Sequence, residues 1–153
     1  MDFYDWMLVL HLFAAFAIAA ALVLFSVLVV AGRRMTTLGQ TQALFRVGRV
    51  GGPLIGVGMG LVLLVGIVLA IDSEDYQLWD AWVLIALALW ALSAFVGGRT
   101  GTYYTGVQKL AEEGGSEAEV LARLRAPTGV RWHAATVVLF VLLVLDMIFK
   151  PWA

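Results

Sequence analysis

Apolar positions fall into four nearly unbroken runs, at 6–31, 53–71, 81–98 and 132–149, with polar residues gathered between them. A hydrocarbon core about 30 Å thick needs roughly 20 helical residues, with about 17 as the lower limit, so each run is long enough to cross it. The first run is the longest and is expected to tilt or to continue into the headgroups. None shows the period-two alternation of barrel strands, and an open strand in lipid would leave its backbone unpaired. The pattern predicts an all-α fold, an integral membrane bundle of four transmembrane helices forming one domain over 1–153. The first run is preceded by Asp2 and Asp5 rather than by bases, and it outlasts a signal-peptide core before reaching "GRR", so it reads as a retained helix.

Small residues mark where helices are expected to approach each other. Gly52, Gly56 and Gly60 recur every four residues in "GGPLIGVGMGLVLLVG" and share one side of a helix. The first run offers Ala14, Ala15 and Ala21, and the third Ala91, Ala94 and Gly97. Pro53 is placed in the opening turn of its helix, where a missing N–H costs little. In "GSEAEVLARLRAP", Ser116 and Glu119 have capping-box spacing, Val120, Leu121 and Leu124 share a face, and Pro127 marks a stop. A short amphipathic helix is therefore predicted in the third loop.

Charge sets the orientation. The chain has 153 residues, 62% hydrophobic and 14% charged, too few charges to cover a soluble domain of this length. The first loop carries Arg33, Arg34, Arg46 and Arg49 and the third Arg99, Lys109, Arg123, Arg125 and Arg131, nine of the 10 basic residues. The second loop, "DSEDYQLWD", carries only acids. The positive-inside rule then puts the basic loops in the cytoplasm and both termini outside. Tyr4, Trp6, Tyr76, Trp79, Trp82 and Trp152 lie at the predicted outer boundary, where amphipathic rings prefer the headgroup layer. Trp90 lies deep in the third run and reads as packing.

Several chemistries are excluded. The absence of cysteine rules out disulfides, thiolate metal sites and covalent c-type haem. "GGRTGTYYTG" lacks the Lys-Ser/Thr ending of a P-loop, and "GVGMG" lies inside a membrane run, so no nucleotide site is expected. Nothing points to nucleic acid. No catalytic set converges at one depth, which argues against an enzyme.

Ionisable residues inside membrane runs are functional candidates by default. His11 lies about 7–8 Å inside the outer edge, counted from Trp6, and Asp146 lies at a similar depth on the fourth run. One reading joins them as a polar pair that knits helices, and Asp146 has a second option in Lys150, four residues on. A second reading makes His11 an axial ligand of haem, alone or with Met147, which shares its depth. His133 belongs to the opposite end, so two histidines cannot clamp one haem. A third reading is a small transporter or proton pathway through His11 and Asp146.

"YDWMLVLH", the arginine pair closing the first helix, and "LWDAWVLIALALWALSAFVGGRTG" together resemble a bacterial, mostly actinobacterial, family of predicted four-helix integral membrane proteins of unknown function. The resemblance covers nearly the whole chain through moderately specific motifs and implies the fold without an activity. More loosely, a first-helix histidine is similar to that of copper-resistance membrane proteins of the D type and of the small haem-binding membrane oxidase of protoporphyrinogen, which places His11 at the matching ligand position. The first helix departs from that oxidase in lacking its proline–arginine–leucine exit. The expectation is a multi-pass protein of the bacterial cytoplasmic membrane, a structural or accessory bundle that self-associates or joins a membrane complex, with haem binding and transport as alternatives.

Overall fold

The computed structural model describes residues 2–73 and 77–150, and five helices appear among them. They are α1 (Phe3–Gly32), α2 (Leu38–Asp72), α3 (Ala81–Glu112), α4 (Glu117–Arg125) and α5 (Pro127–Phe149). Four helical stretches, α1, α2, α3 and the α4–α5 segment, are long and apolar enough to cross a membrane. Their outward faces agree with that solvent. Phe13 is 70% exposed and Leu64 63% exposed, where a bundle in water would present polar side chains.

Two helices run well past the apolar stretches that announced them. α2 begins at Leu38, capped by the Thr37 hydroxyl, which accepts from the Gln40 N–H. Pro53 is consequently inside a continuous helix rather than in its first turn, and the Arg49 carbonyl loses its usual donor there. α3 continues to Glu112 and ends where Gly114 turns left-handed at φ 84°, with the Gly115 N–H closing onto the Leu110 carbonyl at 2.9 Å. α4 opens with Ser116, whose hydroxyl accepts from the Glu119 N–H. Pro127 ends nothing by itself; it is the first residue of α5, the position where a helix tolerates it best.

Packing divides the molecule into two antiparallel pairs, α1 with α2 and α3 with α5, with far less contact between the pairs. Glycines bring α1 and α2 together. A Cβ on Gly58 would lie 2.7 Å from Ile18, and one on Gly51 would lie 2.8 Å from Phe25, so these side chains occupy the space that a missing methyl leaves. Gly52, Gly56 and Gly60 are a different matter. A Cβ on any of them would meet nothing within 4 Å among the described residues, so the expected packing stripe faces away from its own chain. The second pair closes over Gly129, which lies beneath the rings of Tyr103 and Tyr104.

Beyond the apolar spans, α4 folds against the extended ends of α2 and α3. Phe45, Val107, Ala111, Val120 and Leu124 form a small core there. Arg49 pairs with Glu112 at 3.1 Å, the Leu38 N–H donates to Glu117 at 2.8 Å, and Arg125 donates to the Met35 carbonyl at 2.9 Å. This arginine-rich lobe ties the first loop to the third.

Candidate functional site: a cleft between the helix pairs

Because the two pairs meet only loosely, an apolar cleft of about 580 Å³ is left between them, lined by all four long helices. That volume is within the range of small-molecule sites, roughly 300–1,000 Å³. It reaches the end of the bundle where α1 begins and α2 finishes, with Tyr4 and Lys150 at that mouth. Along α1 it runs from Tyr4 to Ala19, about 22 Å at helical rise. Its floor is made by Ile18, Phe140 and Trp90. The Trp90 indole N–H donates to the Met59 carbonyl at 3.0 Å, which satisfies the ring's polar atom and ties α3 to α2 across the gap. Trp90 thus packs, as its depth suggests, and also closes the cleft.

His11 lines this cleft from α1, about 10 Å below Tyr4. Its ring rests against Gly66 of α2, where a Cβ would lie 3.1 Å from the imidazole Cε1. The Val62 backbone, one helical turn earlier, bears on the same ring. Nδ1 is enclosed and has no hydrogen-bond partner at bonding geometry among the described residues. Met147 of α5 lines the cleft as well, so the pair considered for haem is brought to one cavity. Below the mouth, His11 is the one ionisable side chain in the lining among the described residues.

Asp146 does not join it. The carboxylate is 5% exposed, on the buried side of α5, and is absent from the cleft wall. Among the described residues no ion pair links Asp146 to His11 or to Lys150, and its Oδ2 has no hydrogen-bond partner. The two groups sit on different helix pairs, with His11 turned onto Gly66 of α2 and Asp146 buried on α5 away from the cleft wall. The Lys150 ammonium instead stands over the Trp82 ring, 5.3 Å from its centroid.

The other histidine is buried more deeply than its terminal position suggests. His133 is 7% exposed, and its Nε2 is 2.8 Å from the Ser26 hydroxyl of α1. Ser26 also donates to the Leu22 carbonyl at 2.8 Å, so both bonds are satisfied when the His133 N–H donates to Ser26. Next to it, Thr100 and Thr136 join α3 to α5 through hydroxyls 3.0 Å apart. These contacts close the half of the bundle nearer α4, opposite the cleft. Sequence reasoning did not anticipate them, although hydroxyl residues within apolar runs are the usual signal.

Among the described residues no three His, Asp or Glu side chains gather as a metal site. A smaller hollow of about 190 Å³ lies in the arginine-rich lobe beside Gln42, Arg46 and Gln108, where Arg49 is already neutralised by Glu112. No family model, no curated protein and no solved structure matches this chain.

Proposed function

We propose that this protein is a multi-pass protein of the bacterial cytoplasmic membrane that holds a lipophilic molecule in the cleft between its helix pairs, with His11 as the polar contact. The arginine-rich lobe lies in the cytoplasm, following the positive-inside rule, so the cleft opens toward the outer leaflet. The observation that carries this reading is a single half-buried imidazole, its Nδ1 enclosed, in the wall of a cavity that is otherwise apolar below its mouth. Such a cavity with one fixed polar group is the common form of a small-molecule site.

The test is extraction with organic solvent followed by mass spectrometry, on protein purified in mild detergent. The wild type is expected to carry a lipophilic molecule in near-stoichiometric amount. Ala19→Phe, which adds a ring to the cleft wall, should carry little. Equal content in the two proteins, or none in either, removes the reading.

A second reading has its own support. His11 and Met147 line one cavity, the arrangement a six-coordinate haem would need. It predicts a Soret band after haem-supplemented expression, abolished in His11→Ala and displaced in Met147→Leu; a colourless protein excludes it. The outward stripe of Gly52, Gly56 and Gly60 supports self-association or attachment to another membrane subunit, since small residues let helix backbones approach closely in lipid.

A further inference from the structure

We infer that the molecule held in the cleft is a membrane quinone, its flat ring beside His11 and its isoprenoid tail among the apolar side chains. This rests on the reading of the cleft as a lipophilic site and narrows its occupant by charge and shape. Charge comes first. At the level of His11 no other ionisable side chain lines the wall among the described residues, so a charged headgroup there would lie without a counterion in low dielectric. At the mouth, Lys150 is the one charged side chain in the lining among the described residues, about 10 Å above His11 along the wall. A charged group is disfavoured at the level of His11. The group held beside His11 is therefore neutral.

Shape and hydrogen bonding narrow it further. Trp82, Trp90, Phe16 and Phe140 add aromatic surface to the lining along its length. With Nδ1 enclosed against Gly66, Nε2 is the nitrogen the imidazole presents to the cleft. A neutral imidazole serves there as donor to a quinone carbonyl or as acceptor from a quinol hydroxyl, because its tautomer follows the partner. Beyond a ring held at His11 the wall continues to Ala19, about 12 Å of apolar length for the first isoprene units of a tail. Binding is the claim, and no electron transfer is included in it.

The experiment titrates detergent-purified full-length protein with a benzoquinone bearing a ten-carbon chain and follows tryptophan fluorescence, since Trp82 and Trp90 lie in the wall. Saturable quenching is expected. His11→Ala should weaken binding about tenfold, near the contribution of one hydrogen bond, and His11→Gln should recover most of it. Quenching that rises linearly and equally in wild type and His11→Ala is partition into the micelle and overturns the quinone. Photolabelling with a diazirine-bearing alkane separates this failure from that of the parent reading. Label on cleft residues without saturable quinone quenching leaves a lipophilic cleft and removes the quinone; label confined to the lipid-facing surface, again without saturation, removes both. A Soret band in the purified protein assigns the cleft to haem and also overturns the quinone.

Discussion

Glycine does two separable jobs in this chain, and a single methyl tells them apart. At Gly58 the Ile18 side chain occupies the place of a Cβ at 2.7 Å, and at Gly56 that place is empty. Gly58→Leu should therefore force α1 away from α2 and destabilise the protein by about 1–3 kcal/mol, the usual range for overpacking. Gly56→Leu should leave the unfolding midpoint of the monomer unchanged while weakening self-association. Thermal unfolding in detergent and mass measurement of the particle check the two halves of this prediction. Equal loss of stability in both variants would mean that the outward stripe is packed after all. Gly66 is the same kind of position with chemistry attached. A methyl there approaches the His11 ring at 3.1 Å, so Gly66→Ala should shift the imidazole by a few tenths of an ångström and lower ligand affinity without unfolding the bundle.

Among the elements, α1 is joined to α5 through one hydrogen bond whose worth can be measured. Ser26 and His133 are 2.8 Å apart in the half of the bundle nearer α4. A double-mutant cycle with Ser26→Ala and His133→Ala should return a coupling near 0.6 kcal/mol and no more than about 1.7, the range found for hydrogen bonds between membrane helices. A coupling of zero would show that each group finds another partner when the bond is cut. Pro53 offers the opposite sign. Pro53→Ala restores a donor to the Arg49 carbonyl, so the unfolding midpoint should hold or rise, never fall. These elements were unequally legible in the chain. Apolar runs locate the oil, and they found all four spans, but they do not locate helix ends. α2 extends to Leu38 and α3 to Glu112 because a helix continues through charged residues as readily as through leucine. The packing face was harder still. In lipid both sides of a helix are apolar, so Gly51 and Gly58 carry no mark that sets them apart from Gly52 and Gly56. Depth was readable, since helical rise puts His11 and Met147 at one level; the cleft that joins them arises from two pairs that do not fit closely, which no linear pattern records.

For the whole molecule, the decisive quantity is the direction in which the cleft opens. The lining puts the mouth of the cleft at the end where α2 finishes and α3 begins, and helix packing puts α4 at the other. The positive-inside rule then gives the expected sides. Of the 10 basic residues, nine belong to the α1–α2 connection, the extended ends of α2 and α3, α4, or the first turn of α5. Translocating such a cluster is strongly disfavoured, whereas the acidic 72–80 connection crosses without that cost. The chain contains no cysteine, so single labels can be introduced without removing any. Gln77→Cys and Ala118→Cys are both exposed, near opposite ends of the bundle. A membrane-impermeant maleimide applied to intact spheroplasts should modify Gln77→Cys, and should reach Ala118→Cys only after permeabilisation. The converse pattern would turn the molecule over, direct the cleft and His11 toward the inner leaflet, and leave the arginine-rich lobe outside. Labelling of both residues in intact spheroplasts would mean that the two ends share a side, which four antiparallel spans do not permit.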